Sequence, residues 1–402
     1  MRTRAGTLLL VSMLACCVTG RARAQQLPTI PLPDAVAPRR STDDDDVADD
    51  AGFIRFEYLC WWIKDAPLPT PLVTSGTPSG RGVIGALGTS VLAGAGQQSF
   101  GGLSGGRLRY LEWTDSEGDY GVEAGAFYFE HHAVHFQASA AASGDSVLAI
   151  PFMDVSSGRP QASSLVLDQP GVSSGSAALY EGTQLWGVDF NFALNLNDWL
   201  GDTSANVRLL TGLNIVDLNE SLQLITDSSS ALGVAHHSDI FAARSNFMGI
   251  DFAAVIGQRW RRAYFELIPK FSVGANVTSD YIVAQDVSPA IFSVNAPRVV
   301  YNSHEGTFAQ PSNIGHDWPT FFSVMPQLQA RSTFRLCPHC SLTMAFDGLF
   351  WTNVLRPGGM INPQINPTQT NGSLVGQPQP VRVFNTGNFW AQGFSGGLQV
   401  SF

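Results

Sequence analysis

Residues 184–196 read QLWGVDFNFALNL. Every even position from Trp186 to Leu196 is apolar, while Gly187, Asp189, Asn191, Ala193 and Asn195 take the odd ones. Successive side chains of a strand point to opposite faces, and no helix repeats every second residue. The stretch is a two-faced strand. The period recurs along the chain: Met248, Ile250, Phe252, Ala254 and Ile256 alternate with Gly249 and Asp251, then Phe265, Leu267, Phe271 and Val273 with Glu266, Lys270 and Ser272. Leu342, Met344, Phe346 and Phe350 do the same against Asp347. The 402 residues are 44% hydrophobic and only 14% charged, few charges for a water-soluble surface. No run after the N-terminus approaches the roughly 18 apolar residues of a spanning helix. A helical membrane protein is excluded.

Connections alternate in length. Short turns fall near 114–119, 197–204, 257–262 and 337–340, and long connections near 64–99, 137–182, 226–238, 277–321 and 355–387. Short turns on one rim and long loops on the other mark an all-β, antiparallel transmembrane β-barrel with short periplasmic turns and long extracellular loops. Ten strands are expected, within a range of eight to twelve, near 53–63, 100–113, 120–136, 183–196, 205–225, 239–256, 263–276, 322–336, 341–354 and 388–402. The nine tryptophans follow this topology. Trp113, Trp199 and Trp260 lie beside short turns, and Trp61, Trp62, Trp186, Trp318, Trp351 and Trp390 near long-loop ends, as interface rings would. The chain stops on FWAQGFSGGLQVSF (389–402), with Phe394, Leu398, Val400 and Phe402 on one face. That terminal aromatic pattern resembles the signal read by outer-membrane assembly machinery.

Arg2 and Arg4 precede the apolar segment from Ala5 to Val18, and Ala22-Arg23-Ala24 forms a cleavage site before Gln25. Residues 1–24 read as a signal peptide, with a lipoprotein-type cut before Cys16 as the alternative. Cutting after Ala24 removes four arginines, leaving 19 basic against 33 acidic residues and a formal charge of −14. Nucleic acid is not an expected partner. Residues 25–52, rich in Pro and carrying Asp43 to Asp46, read as a disordered periplasmic segment, and 53–402 as the barrel.

Five blocks carry a family resemblance: FEYLCWWIKDAPLPTPLVTSG (56–76), GVIGALGTSVLAG (82–94), GVEAGAFYFE (121–130), LLTGLNIVDLNESLQLIT (209–226) and FWTNVLRPGGMINPQINPTQ (350–369). In order, they resemble the beta-barrel porin 7 family, outer-membrane barrels known mainly from planctomycetes. The resemblance implies fold and location in the cell outer membrane, and brings no functional residues with it. The sequence departs from the family at Gly359-Met360-Ile361-Asn362, where a more acidic stretch is common.

Local chemistry is sparse. Cys337-Pro338-His339-Cys340 lies in a turn, so Cys337 and Cys340 are a candidate disulfide, with free thiols or a redox or metal role as alternatives. Cys60 alternates with the first strand's apolar face. His131, His132, His135, His236, His237, His304 and His316 gather toward the outer rim as solvated side chains. No catalytic residue, metal site or cofactor is expected. The inner faces hold the rest: Arg55, Glu57, Arg107, Arg109, Glu123, Asp189, Arg208, Asp251, Glu266, Lys270, Arg331, Arg335 and Asp347 alternate away from the apolar faces. They either line a narrow passive channel for small polar solutes or ions, or pair and close a structural or adhesive barrel that acts through its loops. Gly187, Gly249 and Ser272 on the same faces leave space, which favours the channel. Expected partners are outer-membrane lipids, the barrel-assembly and periplasmic chaperone machinery, and further copies of the chain.

Overall fold

A computed structural model describes residues 51–139, 145–197, 205–231, 233–260, 263–289, 299–302, 306–370 and 373–402; for 285–289 and 299–302 it describes the backbone. Residues 1–50, which hold the expected signal peptide and all but the end of the expected segment 25–52, lie outside the described residues. The strands in chain order are β1 (Gly52–Ile63), β2 (Ala66–Gly76), β3 (Ser90–Gln98), β4 (Gly102–Trp113), β5 (Tyr120–Phe129), β6 (His132–Ser139), β7 (Val147–Asp154), β8 (Gln161–Asp168) and β9 (Ser173–Asn195). They continue as β10 (Ala205–Ser230), β11 (Gly233–Trp260), β12 (Ala263–Pro289), β13 (Val299–Asn302), β14 (Gly315–Asp317), β15 (Thr320–Cys337), β16 (Cys340–Leu355), β17 (Gln364–Ile365) and β18 (Thr386–Ser401).

Ten strands close a barrel in the order β1, β4, β5, β9, β10, β11, β12, β15, β16, β18 and back to β1, every neighbour antiparallel. Beyond a break at Glu130 and His131, β6 continues the line of β5 along β9. Closure explains the terminal phenylalanine. Phe53 pairs with Ser401, and Gly52 and Phe402 exchange two backbone hydrogen bonds of 3.1 Å. No backbone edge is left for lipid to meet.

The alternation sorts as expected. Phe56, Phe192, Leu213, Ile250, Phe252, Phe271, Met344 and Phe394 point outward and are exposed in the isolated chain, while Glu57, Asn191, Asp251 and Ser272 point inward and are buried. The outward apolar band ends at Trp186 on β9, Ile215 on β10 and Met248 on β11, where Gln184, Asp217, Asn219, Arg244 and Asn246 take over.

Three expectations need correction. The connection 226–238 is not a loop: β10 and β11 run on as a ladder to Ser230 paired with Gly233. Strands β9 to β12 are 23 to 28 residues long, well beyond the roughly 9–11 that cross a bilayer, so they raise a wall above the band. The connections 64–99, 137–182 and 355–387 carry a second sheet, in the order β17, β7, β2, β3, with β8 beside β7. Its Leu68, Leu72, Leu148 and Ile150 pack against Leu222, Leu224, Phe241 and Ile282 of the raised wall. The long-loop end is therefore a packed head. Finally, Trp61 and Trp351 are not interface rings; both turn inward and are almost fully buried.

The outward band makes a depth-dependent prediction. Phe252→Arg, at the centre of the band on β11, should destabilise the barrel by about 2–4 kcal/mol in lipid vesicles. Ser221→Arg, outward on β10 but above the band, should change stability little. Denaturant unfolding in vesicles measures both.

A candidate site in the lumen

The side chains predicted to face inward do so, and the structure joins them into a belt. Arg107 on β4 reaches Glu57 on β1 (Nε to Oε2, 2.6 Å) and forks onto Asp347 on β16 (2.8 and 3.1 Å). Its Nη2 also donates to Ser395 Oγ at 2.8 Å. Gln329 donates to Asp347 at 2.5 Å and accepts from Arg331, which pairs with Glu266 at 3.1 Å. A second chain of contacts closes the other side. Arg208 meets Glu123 at 3.5 Å, Glu123 holds Arg109 at 2.6 Å, and Arg109 reaches Asp189 at 3.2 Å. Lys270 then links Asp189 (3.7 Å) to Asp251 (2.5 Å). With Arg55, the six cations are balanced by six carboxylates: Glu57, Glu123, Asp189, Asp251, Glu266 and Asp347. Their side chains are between 0% and 17% accessible where they pair. Arg335 stands apart at the short-turn rim, donating to the Pro338 carbonyl.

Above the belt, toward the head, the lumen changes to hydrocarbon. Leu59, Trp61, Phe129, Phe247, Met325, Trp351 and Phe389 are all under 5% accessible and form one cluster across the barrel. The Trp61 ring lies tilted at 5.0 Å from Phe129 and 5.8 Å from Phe127; Trp351 meets Phe247 at 6.2 Å and Phe389 at 6.3 Å edge-on. Here the expectation of open space fails. A Cβ on Gly187 would lie 2.6 Å from the Phe127 ring, and one on Gly249 2.6 Å from the Phe247 ring. The glycines are small because aromatic rings occupy their places. Ser272 is likewise engaged: it accepts from Asn214 at 3.0 Å and donates to Asp251.

A third layer joins lumen to head. Arg356, 4% exposed, forks onto Glu220 (2.7 and 2.5 Å) and donates from Nη1 to the carbonyls of Lys64 and Asp65, each at 2.8 Å. It follows Trp351 and Asn353 in the run FWTNVLRPG. Asn353 turns the chain with a left-handed φ of 57° and donates to the Phe322 carbonyl at 2.8 Å. Gly358 then lies against β2, where a Cβ would come within 1.8 Å of the Pro67 carbonyl. Glu181, above the apolar band, is pushed up to about 7 by burial and by neighbouring Glu220. Higher in the head, Asp239 accepts from the backbone N–H groups of Thr307, Phe308 and Ala309 at 3.1, 3.0 and 3.3 Å, and burial pushes its carboxyl up to about 6. Arg356, Glu220 and Asp239 were missed from the sequence. The run containing Arg356 was visible, but its partners lie more than a hundred residues away.

The remaining candidates do not assemble into a site. Cys337 and Cys340 close the β15–β16 hairpin as a directly opposed pair, yet both are free thiols. The candidate disulfide is corrected accordingly: a register shift falls between Arg335 and Cys337, and the tip is held by backbone pairing and by Arg335 on Pro338. Disulfide geometry tolerates little deviation. Cys60 is also free. His236 pairs with Asp227, His135 stacks on Tyr180 and His316 lies tilted against Trp318, at separate places; His304 lies outside the described residues. Among the described residues the one metal-compatible group is Asp115, Glu117 and Asp119 in the turn before β5, an acidic cluster without histidine. Phe394, Leu398, Val400 and Phe402 all face outward.

No curated protein matches the chain. Among solved structures, the outer-membrane protease OmpT from Escherichia coli is similar at 10% identity and a TM-score of 0.41, covering 90% of this chain and all of that one. A Pseudomonas aeruginosa FadL homologue is similar at 9% identity and a TM-score of 0.21, covering 87% and 89%. The P. putida toluene transporter TodX is similar at 8% and 0.16, covering 88% and 91%. None of these likenesses assigns a function. A family model matches residues 53–402, the whole of the barrel and its head. The chain belongs to the beta barrel porin-7 (BBP7) family.

Proposed function

We propose that this barrel sits in the outer membrane with its lumen closed at rest and acts through the head on its long-loop, extracellular side. The observation that carries the reading is the two-layer filling of the lumen: a charge-balanced belt of buried ion pairs beneath a buried aromatic cluster. Lipid surrounds the apolar band, and the outward terminal face from Phe394 to Phe402 supports delivery by periplasmic chaperones and the barrel-assembly machinery. The reading is non-enzymatic, supported by family membership. A second reading, narrow passage of small polar solutes or ions, is favoured by a cavity of about 60 Å³ inside the belt, touched by Arg109, Asp189 and Lys270. It requires the aromatic layer to move.

Planar-bilayer recording of purified, refolded protein separates the two. The closed reading expects no steady conductance at neutral pH, and Arg107→Gln should destabilise the barrel by roughly 3–5 kcal/mol by leaving Glu57 and Asp347 uncompensated. Steady, ion-selective conductance that shifts selectivity in Arg107→Gln, with stability unchanged, would establish the channel instead.

The head makes a pH prediction. Glu181 and Asp239 have folded-state values of about 7 and about 6, above their ordinary 4.5 and 3.8, so folding takes up protons. Their contribution is fully present below the ordinary values and is lost as pH rises through 6 and 7. Thermal unfolding in detergent should therefore occur a few degrees higher at pH 5 than at pH 8. Glu181→Gln should reduce that difference.

A further inference from the structure

The short-turn mouth of the lumen holds a cavity of about 200 Å³, bounded by Gly52, Leu111 and Ser401 at the rim and by Arg55, Arg208, Tyr264 and Thr333 within. Arg55 is only 2% exposed. Among the described belt cations it alone has no carboxylate within ion-pair distance; its Nε and Nη2 both donate to Gln399 Oε1, at 3.0 and 2.6 Å. Its Nη1 is buried without a partner. Arg208 Nε and Thr333 Oγ1 are buried and unpartnered as well. Each guanidinium lies over an aromatic ring, Arg55 at 4.6 Å from Phe53 and Arg208 at 5.9 Å from Trp113, which fixes the direction of its free N–H groups. Glu266 also lines the cavity, and its single charge is shared among Arg331, at 3.1 Å, Arg55 and Arg208, which leaves the cavity a surplus of cationic groups.

A buried guanidinium with an unfilled N–H donor is costly, and its planar fork suits an oxyanion. We propose that this mouth binds a small tetrahedral oxyanion of the phosphate or sulfate class, held by Arg55 and Arg208 with Thr333 as hydroxyl donor. A tetrahedral anion offers separate oxygens that match a guanidinium fork pairwise, a geometry that spherical chloride does not present. The site opens toward the periplasm on the topology given above. It does not depend on whether the lumen conducts, because the cavity lies on the near side of the belt.

The test uses full-length refolded protein in detergent, with inorganic phosphate as probe and sodium chloride at matched ionic strength as control. Thermal unfolding should shift upward saturably with phosphate and not with chloride, and ³¹P line broadening should report direct binding. Arg55→Gln should weaken the phosphate dissociation constant at least tenfold. Thr333→Val, a milder change that preserves shape, should weaken it severalfold and serves if Arg55→Gln fails to refold. Arg335→Gln, at the rim but outside the cavity, should bind as the parent does. An equal response to phosphate and chloride, or unchanged phosphate binding in Thr333→Val and Arg55→Gln, would overturn the proposal.

Discussion

A closed ring of ten strands encloses a space that side chains must fill or water must wet, and this chain fills it in part with charge. Ionised groups in a low-dielectric interior are tolerable only when each finds its opposite with good geometry. The belt meets that condition by reaching across strands: Arg107 joins β4 to β1 and β16, and Lys270 joins β12 to β9 and β11. These contacts lie inside the wall, shielded from lipid by the outward residues of the same strands. The wall can be apolar outside and charged inside because the strand period is two. Arg55 departs from the pattern: its Nη1 is unpartnered, and the side chain lines the short-turn mouth.

The layers above the belt depend on one another in the same way. Rings from β1, β5, β11, β16 and β18 meet over glycines of the wall, Phe127 over Gly187 of the neighbouring strand and Phe247 over Gly249 of its own, so the aromatic layer is packed from the wall inward. Arg356 then sits on the Phe389 ring at 5.6 Å while forking onto Glu220. A single side chain thus ties the top of the lumen filling, the raised wall and the start of β2 together. Asp239 repeats the device higher up, holding the backbone at 307–309 to β11. The head is an extension of the barrel core.

Much of the architecture was legible because it is written in period two. The ten barrel strands, their antiparallel order and the outward face of the terminal strand follow from residues such as 184–196, where every second side chain is apolar. What the period does not encode is depth. Trp61 and Trp351 sit where the alternation places them, on the inner face, but an aromatic residue near a strand end looks like an interface ring until its face is assigned. Gly187 and Gly249 looked like gaps because a sequence does not show that Phe127 and Phe247 lie over them. Charges on the inner face were legible as a set, yet their pairing was not, since Arg107 and Asp347 are brought together only by closure of the ring. The head was illegible for a different reason: its strands sit in long connections, without the regular two-faced pattern, and are held by contacts such as Arg356 on Glu220.

On the proposed reading, the lumen is filled from the charge belt through the aromatic layer, leaving no continuous aqueous path. A crystal structure in a lipidic phase, at a resolution that orders internal water, tests it most directly. The account predicts isolated waters near Arg109 and Asp189, and none at the level of Trp61, Phe247 and Trp351. A continuous file of ordered water from the short-turn mouth past those rings would contradict it.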